Sequence, residues 1–178
     1  MKLRQRAGWA FAACLLVACA AGSDRSAGGP PERPAATGSV AGLERQLFDA
    51  VNAYRRDSGL PALRHDAAIA KAARRHSEAM AAGDVPFGHA GLRERAAAIA
   101  ASVALAALSE NIARHNRPLS EVLDAALGGW LASDAHRKSL RSDRELTGIG
   151  IAQSAVGTFF VTQIFVGLQP DGARVGSP

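Results

Sequence analysis

The chain has 178 residues and a mass of 18.4 kDa. It is 48% hydrophobic and 21% charged, a balance that supports one modest globular domain and excludes collagenous, coiled-coil and wholly disordered chains. The formal charge of +5 and pI near 10.0 would point to nucleic acid if the excess lay on the folded part. Three of those charges, Lys2, Arg4 and Arg6, instead precede an apolar run, and without them 18 basic residues face 16 acidic ones, so no nucleic-acid partner is expected.

Residues 1–19 combine that basic start with an apolar stretch from Gly8 to Ala18 and then small residues, the organisation of a secretory signal. Eleven apolar residues are too few to span a bilayer. Leu16-Val17-Ala18-Cys19 resembles the lipobox of bacterial lipoproteins, which implies lipidation of Cys19 and a membrane anchor. Ala18-Cys19-Ala20 also reads as a small-x-small cleavage site, whose product would be freely secreted. The two cysteines, Cys14 and Cys19, both belong to this segment, so the mature domain is expected to hold no disulfide and no thiolate chemistry.

Residues 20–42 are dominated by Gly, Pro, Ser and Ala without an apolar period. They read as a disordered linker that would reach roughly 70 Å if drawn out. The domain is expected over 43–168, followed by a flexible tail over 169–178.

Within the domain, Leu43, Leu47, Ala50, Val51 and Tyr54 recur at helical spacing until Ser58-Gly59-Leu60-Pro61, which predicts a first helix over 43–57. A second starts at the N-cap Asp66, carries Ile69, Ala73, His76 and Met80, and stops at Gly83. A weaker Ala-rich helix covers 91–102. A fourth follows Pro118 and Leu119 with Val122, Leu123, Ala126, Leu127 and Trp130 on one side, and Ser133 and His136 close it. Gly128-Gly129 inside it costs about 1 kcal/mol per glycine relative to alanine, so close packing against a neighbour is the expected reason for the pair.

After residue 145 the period changes. Leu146 to Ala152 and Thr158 to Val166 are rich in Ile, Val, Phe and Thr and read as a hairpin. In its second strand Phe159, Val161 and Phe165 face one way while Phe160, Ile164 and Val166 face the other, which demands cover on both sides. A short third strand is expected over 108–113. The fold class is therefore α+β, a three-layer α-β-α sandwich with a small, mainly antiparallel sheet flanked by helices.

The polar residues that stand out are His89 in Val85-Pro86-Phe87-Gly88-His89, Glu110 in Ser109-Glu110-Asn111-Ile112-Ala113, and Ser133 and His136 after Trp130. With Val51-Asn52-Ala53-Tyr54-Arg55, Gly59-Leu60-Pro61, His76-Ser77-Glu78, Thr147-Gly148-Ile149-Gly150-Ile151 and Thr162-Gln163-Ile164-Phe165, these pieces fall in an order that resembles the bacterial branch of the CAP superfamily, or SCP-like domains. The resemblance implies an exported sandwich with an open cleft. In many eukaryotic members that cleft holds two histidines and two glutamates able to coordinate a divalent ion. His89 and Glu110 match the first histidine and first glutamate; the second glutamate is Ser133 here, and the second histidine falls at Phe160. His136, part of the bacterial pattern, is the replacement imidazole, which gives His89, Glu110 and His136 as a candidate zinc or calcium site.

Such a trio would bind its ion better as pH rises through the ordinary histidine pKa of about 6.5. Without metal, Glu110 would orient an imidazole or accept a proton from a ligand. The candidate cleft is thus His89, Glu110, Ser133 and His136, in a tethered monomer that binds a lipid, cell-wall component or protein without a complete catalytic set. A metal-assisted hydrolase and a structural envelope domain are the alternatives. His76 reads as a core histidine, Trp130 as a core anchor, His65 and His115 as exposed loop residues, and the pairs Arg55-Arg56 and Arg74-Arg75 as solvated helix faces.

Overall fold

The computed structural model describes residues 39–170; the expected signal segment with Cys19, the linker up to residue 38 and the tail beyond Pro170 lie outside them. The first helix, α1, is Val40–Asp57, three residues longer at its start than the spacing predicts. Ser39 causes the difference, since its hydroxyl accepts from Gly42 N at 3.1 Å and caps the first turn. Helix α2 (Ala67–Ala82) has the expected ends: Asp66 Oδ1 accepts from Ile69 N at 2.9 Å, and Gly83 closes it with φ +84°. Helix α3 is Leu92–Ala100.

The fourth predicted helix is two. Helix α4 (Leu119–Ala132) ends where Ser133 turns extended, at φ −102° and ψ 124°, and α5 (Asp134–Leu140) restarts from it. His136 therefore lies in the first turn of α5 rather than at the end of α4. Among the described residues Gly128 and Gly129 have no close neighbour, since a Cβ at either would meet no atom within 4 Å. The expectation that packing requires them is overturned.

The sheet has four strands in the order β1-β3-β4-β2. Strands β2 (Leu105–His115), β4 (Phe159–Leu168) and β3 (Leu146–Gln153) pair antiparallel, and β1 (Arg64–His65) adds a two-residue parallel edge to β3. His65 is thus a strand residue, still exposed. His115 ends β2, and its buried Nε2 has no hydrogen-bond partner among the described residues, so it is not an exposed loop residue.

The faces of β4 divide as the alternation requires. Phe159, Val161 and Phe165 pack with Leu43, Leu47 and Val51 of α1 and Val122 and Trp130 of α4. On the opposite face Ile164 and Val166 meet Ile69, Ala73 and Ile99, and Phe160 meets Met80 and Ile112. One layer is therefore α2 and α3, the other α1, α4 and α5. Each fully buried large apolar side chain contributes about 1.5–3 kcal/mol.

Polar anchors set the layers. Asn52 holds the approach to β1 through both amide atoms, to Leu63 O at 3.0 Å and Leu63 N at 2.8 Å. Glu44 pairs with Arg74 and accepts from Ile151 N at 3.0 Å, closing the part of the β3 edge that β1 does not cover. Arg55 is only 1% exposed, not a solvated helix residue: its guanidinium reaches the carbonyls of Pro61, Leu140 and Ser142 at 2.9, 2.7 and 2.9 Å.

Candidate functional site

Strand β2 lies at the sheet edge, and Glu110 points from it toward α2 and α3, on the same side as Ile112. Its carboxylate is 1% exposed. A charge so buried needs partners, and it has two. Arg95 of α3 donates through Nε to Oε2 at 2.9 Å and through Nη2 to Oε1 at 2.8 Å, a two-pronged guanidinium–carboxylate pair. His89 Nδ1 donates to Oε1 at 2.8 Å. Because the carboxylate can only accept, the Nδ1 proton is assigned and Nε2 is the acceptor nitrogen of the neutral ring.

Arg95 is the hub of this arrangement. Its Nη1 also donates to Ala90 O at 2.7 Å and to His76 Nδ1 at 3.1 Å. His76 Nε2 donates in turn to Gly88 O at 2.9 Å, so the ring is neutral with its proton on Nε2. Burial, partly offset by the Gly88 bond, holds its pKa below the usual histidine range. The turn that carries His89 is thus held at Gly88 by His76 and at Ala90 by Arg95. Phe87 fixes the approach to that turn, lying 6.4 Å from the Phe160 ring with Arg114 5.0 Å above its own.

His76 is buried as expected, yet it also positions the site. Arg95 was not anticipated. One signal was present in the sequence: Arg95 lies one helical turn before Ile99, the buried residue of α3, and hence on the same inward face.

From the other layer, α5 approaches the same strand. Asn111 Nδ2 donates to His136 O at 3.1 Å, which pins the first turn of α5 beside Glu110. Burial lowers the His136 pKa, and the nearby His89 lowers it further. The fold therefore brings His89, Glu110 and His136 to one strand edge. Ser133 supplies the extended joint before α5 through its backbone, and no hydrogen bond joins it to His136 among the described residues, so it has no base to activate it as a nucleophile.

The residues do not fit a divalent ion. Arg95 occupies both oxygens of Glu110 and His89 shares one, and a cationic guanidinium at the carboxylate opposes a second cation there. Among the described residues no group of three His, Cys, Asp or Glu side chains is placed to hold a metal. What the arrangement provides is one half-exposed imidazole, held in a single tautomer by a neutralised carboxylate, beside a second imidazole.

Residues 48–165 match the family model described as CAP: Cysteine-rich secretory protein family. An extracellular SCP-domain protein of Bacillus anthracis str. Ames is 30% identical with a TM-score of 0.59, over 78% of this chain and 45% of that one. An outer surface protein of Borrelia burgdorferi is 16% identical, TM-score 0.60, over 74% and 96%. A cysteine-rich secretory protein of Staphylococcus aureus subsp. aureus Mu50 is 19% identical, TM-score 0.58, over 73% and 40%. The last two likenesses concern the fold alone, and the chain spans less than half the length of the Bacillus and Staphylococcus proteins. No curated protein matches the chain.

Proposed function

The chain belongs to the cysteine-rich secretory protein family, and from that membership we propose that it is an exported domain, tethered through Cys19, which binds a ligand at His89, Glu110 and His136 without hydrolysing it. Export is supported by the basic and apolar start of the sequence and by likeness to an extracellular bacterial protein. Among the described residues no helix is long and apolar enough to cross a membrane, which suits an anchor placed at residue 19.

One observation carries the binding reading: the Glu110 carboxylate is neutralised by Arg95 and also accepts from His89. A carboxylate acts as a general base only when it is free to take a proton from a positioned water or nucleophile, and Glu110 has no such freedom. His89 is left as an oriented hydrogen-bonding group. With Glu110 neutralised and His136 held uncharged by burial, the site suits an uncharged, hydroxyl-bearing part of a lipid, cell-wall component or protein.

Turnover assays on peptide, ester and glycan substrates, run on the wild type and Glu110→Gln, are expected to show no activity that depends on Glu110. Dependent turnover would overturn the reading in favour of a hydrolase. Elemental analysis of protein purified without chelator is expected to find no stoichiometric zinc or calcium. Mass spectrometry of the mature N-terminus tests the anchor, and a free terminus without a diacylglyceryl group on Cys19 would remove it.

A further inference from the structure

A second charged centre lies away from this cleft, where the end of α1, the β1 edge and the 141–145 loop meet around a cavity of about 400 Å³. Four arginines line it: Arg55, Arg64, Arg141 and Arg144. They come from three separate stretches of chain, and no local charge run announces the group.

Arg55 is the unusual member. It is fully buried, its donors go to three backbone carbonyls, and among the described residues no carboxylate forms an ion pair with it. A buried cation ordinarily needs a counter-charge. Burial depresses its pKa with no opposing contribution from an acid. The two acidic residues of the lining do not supply the missing charge. The Asp143 side chain is 96% exposed and lies 3.4 Å from Arg144; Glu145 Oε2 accepts from Leu168 N at 3.0 Å on β4. Arg144 also has a buried Nε with no hydrogen-bond partner among the described residues. The cavity thus combines net positive charge with a buried guanidinium that has no carboxylate partner among the described residues.

We propose that this cavity is an anion site that takes a phosphoryl group, carried by a small organic phosphate or by a lipid headgroup. Guanidinium forks match phosphate oxygens in pairs, and the volume lies in the range of small-molecule pockets, larger than a carboxylate requires. Arg64 and Arg144 reach the anion from the rim while Arg55 supplies charge from the floor. This site is independent of the His89 cleft.

The test uses the full chain and leaves Arg55 in place, because its removal undermines the fold. Inorganic phosphate is titrated by calorimetry at constant ionic strength, and vesicles of phosphatidylglycerol are compared with phosphatidylcholine. The double variant Arg64→Gln, Arg144→Gln is expected to weaken binding by about tenfold or more. Arg45→Gln, which removes an exposed charge paired with Asp49 on α1, is the control and is expected to stay within about twofold, as exposed ion pairs contribute little. Rim-dependent binding of free phosphate alone assigns a soluble phosphate; rim-dependent binding of phosphatidylglycerol vesicles alone assigns a headgroup; either upholds the phosphoryl chemistry. The proposal is overturned if neither probe binds, or if Arg45→Gln weakens binding as much as the rim pair.

Discussion

The two sides of the sheet solve the same problem differently. On the α2 and α3 side the buried charge, Glu110, has a guanidinium and an imidazole against it, and the helix lies so close that a Cβ on Gly148 or Gly150 would overlap the backbone of Ile69, Ala70 or Arg74. On the α1, α4 and α5 side Glu44 has Arg74 against it, but Arg55 meets only carbonyls among the described residues. There Asn111 and Gln163 are register partners on neighbouring strands, and Asn111 Oδ1 and Gln163 Oε1 both lack a hydrogen-bond partner among the described residues. The first side is closed and electrically complete; the second leaves polar capacity unspent. The proposed anion cavity draws on the second kind of environment, whereas on the first side the half-exposed His89 is the group left to meet a ligand.

The largest effect is expected at Arg55. Arg55→Met would leave three carbonyls without their donor and destabilise the domain by about 3–5 kcal/mol in urea unfolding. A loss below about 1 kcal/mol would break the comparison, since the desolvation cost of the unpaired cation would then cancel its hydrogen bonds. Next comes the tight side. Gly148→Ala or Gly150→Ala must push α2 off the sheet, and about 1–3 kcal/mol of destabilisation is expected; a neutral result would mean that α2 shifts freely and the side is not closed.

The pH dependence is smaller and involves both sides. Burial lowers the pKa of His76 on one side and of His136 on the other. The unfolded chain therefore binds more protons than the folded one just below the unfolded histidine value of about 6.5. Stability should be fully present above that pH and fall as pH drops through it toward the folded values. The midpoint of urea unfolding followed from pH 8 to 5 checks this, and His76→Gln should flatten the curve. The smallest effect has the opposite sign: Gly128→Ala and Gly129→Ala, on the α1, α4 and α5 side, should each stabilise α4 by about 0.5–1 kcal/mol. Destabilisation there would reveal a partner surface against the pair.

The glycines show how far local reading goes. Gly128-Gly129 lies in a helical pattern and Gly148-x-Gly150 in a strand pattern, yet neither pattern tells that among the described residues the first pair faces open space and the second touches a helix backbone. The two-residue strand β1 shows no period to detect. Ser133 ends α4 and a separate α5 follows it to Leu140, where the sequence pattern predicts a single helix closed by Ser133 and His136. Within the site, His89 and Glu110 could be named from family motifs, whereas Arg95 and the positioning role of His76 could not, because both depend on which helix faces meet the Glu110 side of β2.

Hydrophobic period, caps and the two-faced pattern of β4 were enough to establish an α-β-α sandwich, since each depends on residues within a few turns of one another. Charge neutralisation at Glu110, its absence at Arg55 and the unsuitability of the trio for a metal all depend on groups tens of residues apart. Such pairings exist once the layers have packed, and they separate a carboxylate that could hold an ion from one already held by a guanidinium.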